Sequence, residues 1–206
     1  MELAEAIRRR RMVRSFASSP IDAGLLDRLL EDSLRGPSAG NTRGVAWVVL
    51  DGEETSTYWE HATTPDWRNG ARRYPGLSRA PVIALSLCSP DAYVERYGES
   101  DKRRSGLGPP DSAGDRAAAW PVPYWFTDAA FSTMLLLLGV TAAGLGAVFL
   151  GNFRAESELL GALGVPAGWR LFGAVAIGEP DGADHPSTSV GRQPAPGAAT
   201  VHRSRW

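Results

Sequence analysis

Five arginines stand within seven positions near the start of the chain: Arg8, Arg9, Arg10, Arg11 and Arg14. A guanidinium is planar, permanently charged and able to grip a phosphate through two parallel N–H bonds, so such a cluster in a small domain reads as an anion site. Further along comes Pro37-Ser38-Ala39-Gly40-Asn41-Thr42, a polar, flexible turn leading into an apolar strand. Together the two point to a phosphate-bearing cofactor.

The basic run also reads as a solvated helix face or as an arm for nucleic acid. A nucleic-acid partner is disfavoured, because 22 Lys plus Arg face 23 Asp plus Glu, a formal charge of -1. No broad excess of positive charge is present to displace counterions from a duplex. Arginines near an N-terminus also resemble the opening of a secretory signal, yet Phe16 is followed by Ala17-Ser18-Ser19-Pro20 and a charged helix. A signal needs an apolar core of roughly 7–15 residues there. The expected location is the cytoplasm.

With 206 residues, 43% hydrophobic and 22% charged, the chain has the composition of an ordinary globular protein able to bury a core. The lone cysteine, Cys88, rules out an intrachain disulfide and lies in the apolar run from Val82, where an inert core thiol is expected. His61, His185 and His202 show no ligand spacing, so no metal site is expected. No charged residue occurs from Ala129 to Phe153, long enough on paper to span a bilayer. Glycines at 139, 144, 146 and 151 interrupt that stretch, and a helix apolar all round suits a central core helix, so no membrane partner is expected.

These residues must be positioned by a succession of short elements. A first helix is expected over Leu3 to Arg11, with Leu3, Ala6, Ile7 and Arg10 on one face and the arginines delivered at its end. Ile21 before Asp22, with Leu26 beyond, predicts an N-cap with a hydrophobic staple, and Gly36-Pro37 ends that helix. Val45 to Leu50 and Pro81 to Cys88 read as strands, with a helix and loop between them. Residues 89–119, rich in Gly, Pro, Asp and Arg, read as a flexible loop or lid. A helix over Thr127 to Ala143 stops at Gly144-Leu145-Gly146 before a short strand. Glu156 to Leu163 predicts a short helix, and Leu171 to Ile177 a last strand. Without an internal repeat or strong linker, residues 1–206 read as a single domain with 180–206 as an extended arm. A terminal Trp206 between basic residues is expected to dock, on a partner subunit for example.

The order of motifs resembles the FMN-dependent nitroreductase family: R-R-x-x-R-x-F (Arg10, Arg11, Arg14, Phe16), then P-S-A-G-N (Pro37 to Asn41), then a long apolar helix ending in G-L-G (Gly144 to Gly146). G-V-P (Gly164 to Pro166), I-G-x-P (Ile177 to Pro180) and Arg192 before Pro194 follow in the same order, so the likeness covers about residues 4–194. The His202-Arg203-Ser204-Arg205-Trp206 ending is similar to that of actinobacterial nitroreductase-like oxidoreductases.

The resemblance implies an α+β nitroreductase-like fold, its central sheet mainly antiparallel and flanked by helices, built as an intertwined homodimer with FMN between subunits. It implies an FMN-dependent oxidoreductase in which NAD(P)H reduces the flavin and a small, flat acceptor such as a nitroaromatic or quinone reoxidises it, in a ping-pong cycle. Arg10 and Arg14 match residues that reach the FMN phosphate and ribityl chain, with Arg11 and Met12 between them, and Arg192 matches a late basic residue closing on the phosphate. Pro37, Ser38, Ala39 and Asn41 match the turn along the flavin from the other subunit. Leu150 and Gly151 lie where family members offer backbone N–H groups to the ring. No catalytic side chain is implied, since the flavin carries the chemistry.

Two departures stand out. Met12 replaces the family's usual Ser, and Arg43 a common Gln, which suggests acidic substrates or a specialised donor such as a deazaflavin. Ahead of the apolar helix, Trp120, Tyr124, Trp125 and Phe126 read either as a core wedge or as aromatic walls of a substrate slot, and the resemblance favours the slot. The alternative function is a flavin-binding or flavin-processing protein of the same fold without nitroreductase turnover.

Overall fold

The computed structural model describes residues 1–70, 74–110, 115–184 and 201–205. Its helices are α1 (Leu3–Arg9), α2 (Ala23–Ser33), α3 (Thr55–Ala62), α4 (Pro65–Arg68), α5 (Pro90–Gly98), α6 (Tyr124–Ala142) and α7 (Glu156–Ala162). The strands β1 (Val45–Asp51), β2 (Val82–Cys88), β3 (Gly146–Leu150) and β4 (Arg170–Gly178) form one sheet in the order β1-β2-β4-β3. Every adjacent pair is antiparallel, the α+β arrangement expected from the sequence.

Alternation along the strands sorts side chains between two layers. Ile83, Leu85 and Leu87 of β2 face a core with Tyr58 and Trp59 of α3 and Leu159 and Leu160 of α7. Val82 and Ala84 face the other side, against Leu26 and Leu30 of α2 and Leu136, Leu137 and Val140 of α6. Because both faces are covered, the inner strand β2 is buried at all seven positions. A third cluster joins Cys88 to Tyr93 and Val94 of α5 and to Trp120, Trp125 and Ala129.

Helix α2 starts as its residues dictate: Asp22 Oδ1 accepts from Leu25 N at 2.8 Å, and Ile21 packs into the cluster that holds Leu26. Helix α6 is the only one among the described residues long and apolar enough to cross a membrane. Its inner face, including Ala129, Ser132, Leu136 and Val140, is buried against the sheet and α2. Small hydroxyls stitch this layer together: Trp47 Nε1 donates to Ser33 Oγ at 2.9 Å, and Thr133 Oγ1 donates to Ser86 Oγ at 3.3 Å.

Four expectations need correction. Helix α1 ends at Arg9, not Arg11, and its apolar face is open: Ala6 is buried, while Leu3 and Ile7 are more than half exposed. The segment 89–119 is not all loop, for Ser89 Oγ caps α5 by accepting from Ala92 N at 3.3 Å, with Pro90 in the first turn. A serine cap followed by proline is a helix start, and the Gly- and Pro-rich stretch behind it masked the signal. Helix α6 begins at Tyr124, one turn early, so Tyr124, Trp125 and Phe126 are helical. Trp206 lies outside the described residues, as does Arg192.

Candidate cofactor site

The arginine arm lies along the outer edge of β3. Arg10 ends α1 in an extended conformation, Met12 bridges Ala147, and Val13 N donates to Ala147 O at 2.9 Å. Phe16 bridges Pro180 beyond β4. This pairing fixes the backbone and leaves the cations little occupied. Arg9 pairs with Glu5 at 2.8 Å, but Arg11 is exposed. Arg14 donates from Nη1 to the Met12 carbonyl at 3.1 Å, and its guanidinium lies 5.3 Å from the centre of the Tyr74 ring. Arg10 Nη1 is buried with no hydrogen-bond partner among the described residues. Met12 departs from its expected place: its half-buried side chain packs on both main cores, and its sulfur accepts from Phe149 N at 3.5 Å.

The turn ahead of β1 is built differently. Ser38 is extended, Ala39–Asn41 form one tight 3-10 turn, and Gly40, Asn41 and Arg43 all take left-handed conformations, with φ of 64°, 55° and 56°. For a non-glycine residue that costs roughly 1–2 kcal/mol and persists only where the surroundings impose it. Here they do. Ala39 N donates to Asp128 Oδ2 at 2.9 Å, Arg96 Nε donates to Gly40 O at 2.9 Å, and Arg43 N donates to Ser38 Oγ at 3.0 Å. Arg96 is itself clamped by Asp101, at 2.7 and 2.8 Å. Gly44 lies so close to α5 that an added Cβ would stand 2.5 Å from the Tyr93 ring. The turn walls a cleft of about 590 Å³ whose lining includes Pro37, Ser38, Asn41, Arg43, Asp128 and Ser132.

Asp128 and Tyr93 set the electrostatics of this corner. Tyr93 Oη donates to Asp128 Oδ2 at 2.7 Å. Burial, and then the hydrogen bond to Asp128, push the Tyr93 phenol well above its ordinary value, so it stays a protonated donor. Burial likewise pushes the Cys88 thiol up to about 12, the inert behaviour expected of it.

Within one chain the arm and the turn occupy diagonal corners of the sheet. Ala147, beside the arm, aligns with Ile177 on β4 and hence with Val82 on β2, whereas Val45, just past the turn, aligns with Cys88 on the far edge strand pair. Three strand spacings of ~4.8 Å and six residues of ~3.3 Å separate these corners, roughly 14 Å across and 20 Å along.

Beyond β3, Leu150 is half-buried and Gly151 exposed. The Phe153 ring, 93% exposed, lies over Gly151, while Asn152 Oδ1 is buried without a partner and Ala155 is left-handed.

The aromatic group is divided between core and surface. Trp120 and Trp125 are buried, edge-on to Tyr93 at 6.1 and 6.3 Å, and Trp120 Nε1 donates to Leu107 O at 2.9 Å. Phe126 packs toward Phe172, and Tyr124 alone is exposed. Trp125, in the first turn of α6, and Trp120, ahead of that helix, both join the third core. Sequence reasoning missed Asp128, Tyr93 and Arg96, the residues that hold the turn. Asp128 carried a signal, as the lone carboxylate on the inner face of an otherwise apolar helix; Tyr93 and Arg96 sat in a segment read as loop.

Residues 7–179 match the Nitroreductase family. A Methanothermobacter thermautotrophicus protein, provisionally named NADH dehydrogenase/NAD(P)H nitroreductase, is 22% identical over all of this chain and 88% of its own length. Nitroreductase CinD from Lactococcus lactis, solved with nicotinic acid, has a similar structure, with a TM-score of 0.71 at 16% identity over 93% of this chain and 98% of its own. A provisionally named nitroreductase from Exiguobacterium sibiricum, solved with FMN, gives a TM-score of 0.69 at 16% identity over 91% and 92% of the two chains. The fold, the motif order and the match across most of its length together show that the chain belongs to the Nitroreductase family.

Proposed function

We propose that the protein is an FMN-dependent oxidoreductase, a homodimer that moves electrons from NADH or NADPH to a flat acceptor such as a nitroaromatic or quinone. The observation that carries the cofactor reading is Arg10 Nη1, a buried guanidinium nitrogen without an acceptor among the described residues. An unpaired buried donor costs about 1–3 kcal/mol, more when charged, and a phosphate oxygen would remove that cost. Arg14, whose guanidinium meets a carbonyl and an aromatic face among the described residues, and exposed Arg11 stand beside it to complete an anion cradle. Each charge-assisted contact contributes about 1.5–3 kcal/mol, so two or three arginines suffice for retention. The FMN complex of the Exiguobacterium relative fits this reading.

When bound, FMN supplies reversible two-electron chemistry, accepting hydride from a nicotinamide and delivering electrons to an acceptor. The chain's own residues bind and orient. In this reading Arg10, Arg11 and Arg14 hold the phosphate, with Arg192 closing on it. The Leu150–Gly151 backbone borders the ring, and Pro37, Ser38, Ala39 and Asn41 of a second copy complete the site. Donor and acceptor then share one slot and alternate in a ping-pong cycle. Arg43, unpaired with any acid among the described residues, lines the cleft and favours an acceptor that carries negative charge.

A second copy suits this reading because the arm and turn of one chain lie at diagonal corners of the sheet. The surface offers a place for it. Phe131, Met134 and Leu135 form an exposed apolar stripe on α6, continued by Leu34 and by Leu3 and Ile7 of α1. An apolar patch of that kind marks an interface. A cytoplasmic location suits a nicotinamide donor.

The purified protein should be yellow, release FMN identifiable by mass, lose flavin absorbance anaerobically on adding NADPH or NADH, and regain it with a quinone or nitroaromatic. Protein free of flavin that takes up none would overturn the cofactor. Bleaching by dithionite but by neither nicotinamide would overturn the donor.

A further inference from the structure

Asp128 is the one carboxylate among the buried described residues, 4% exposed, and both of its recorded donors converge on a single oxygen. Ala39 N reaches Oδ2 from the turn and Tyr93 Oη reaches it from α5, at 2.9 and 2.7 Å. A carboxylate is an acceptor only, and two charge-assisted bonds to one of its oxygens hold both donors more firmly than neutral groups would. Burying an ionised side chain is costly unless such bonds compensate it, so an apolar residue would serve this helix better were packing its only task. The hydrogen bonds continue outward: the Ser38 hydroxyl lies against the Tyr93 phenol, and Ser38 Oγ in turn accepts the Arg43 amide. The turn is thus gripped at Ala39 from α6 and at Gly40 from Arg96 of α5, where its left-handed course begins.

We propose that Asp128 is a positioning residue that locks the turn at 37–43 into the left-handed course needed to complete a flavin site. This rests on the cofactor reading above. Asp128 lines the cleft and lies on the inner side of the helix whose outer side carries Phe131, Met134 and Leu135. One rigid element therefore joins the proposed subunit interface to the turn, and docking a second copy steadies the contact that sets the turn.

The test uses the full-length protein and three variants. Asp128→Ala removes the acceptor, Asp128→Asn keeps one acceptor oxygen without the charge, and Ala39→Pro deletes the donated N–H and sets its ring Cδ where that hydrogen pointed at Asp128. The proline suits its position, because it would open a helical turn and Ser38 before it is already extended, at φ -134° and ψ 131°. The measurements are FMN affinity by fluorescence quenching, the visible circular dichroism of the bound flavin, and the thermal midpoint without FMN. Asp128→Ala should weaken FMN about tenfold or more, and Asp128→Asn and Ala39→Pro about threefold or more, with altered flavin dichroism throughout. Altered dichroism at saturating FMN in Ala39→Pro and Asp128→Asn, with both variants still folded, is the readout that a merely structural contact would not move. Wild-type affinity and dichroism in both Ala39→Pro and Asp128→Asn would overturn the proposal, and those two arms decide it if Asp128→Ala fails to fold. Should the wild type bind no FMN, the cofactor reading fails on its own. Amide exchange at Gly40 and Asn41 then decides: about tenfold faster in Ala39→Pro supports the brace, and unchanged exchange overturns it.

Discussion

The arginine arm and the turn ahead of β1 are both polar, surface-reaching segments, yet the chain holds them in different ways. Around the turn the backbone is over-determined: Ala39 and Gly40 are each tied to a different helix, and left-handed Asn41 and Arg43 are kept in place by those ties. Along the arm the backbone is paired with β3 and the side chains are left waiting, with Arg10 Nη1 buried and unsatisfied and Arg11 exposed. One region has its polar groups answered within the chain. The other has cations that nothing described answers. This difference argues that the turn is a shaped wall and the arm a gripping hand, and that neither makes a site alone.

The largest effect should come from separating the two copies proposed to bring these regions together. Met134→Asp with Leu135→Asp places two charges on the exposed stripe of α6. Light scattering should then show a monomer, with FMN affinity reduced about a hundredfold or more, since half of each site's contacts leave together. A monomer that binds FMN like the wild type would break the comparison.

Within the proposed dimer, the two regions should respond to substitution in opposite ways. Arg10→Ala or Arg14→Ala should each weaken FMN about tenfold or more, the worth of one charge-assisted contact, with little change in thermal midpoint. Gly44→Ala should instead destabilise the fold by about 1–3 kcal/mol, because its Cβ would press on the Tyr93 ring at 2.5 Å. Chemical denaturation and flavin titration of the same variants separate the two outcomes.

The smallest effect concerns selectivity. Arg43→Gln should lower the preference for 4-nitrobenzoate over 4-nitrobenzamide, read as a ratio of kcat/KM values, by up to about fivefold, as befits an exposed charge. An unchanged ratio would remove Arg43 from acceptor choice.

How much of this was legible in the sequence follows from how local each signal is. The Asp22 cap, the Gly36-Pro37 stop and the apolar runs of β1 and β2 are decided by neighbours in sequence, and they appear as read. The open face of α1 was not legible, because Leu3 and Ile7 promise a buried stripe that this single chain leaves uncovered. The burial of Trp120 and Trp125 was not legible for a related reason: composition says that aromatics cluster, whereas the direction they face is set by packing against Tyr93 of α5. The brace was hardest to see, since Ala39, Tyr93 and Asp128 meet only after three separate elements have packed.

The most direct test of a site shared between chains is complementation. One chain carries Arg10→Ala with Arg14→Ala; the other carries Ser38→Trp, which fills the cleft at an extended, unstrained position. Neither homodimer should retain FMN. Co-expressed under different tags and isolated as the mixed dimer, the pair should bind about one FMN per dimer where the wild type binds two, because a two-fold assembly then contains one site with both its arm and its turn intact. A mixed dimer that binds no FMN would contradict the shared site and would return arm and turn to a single chain.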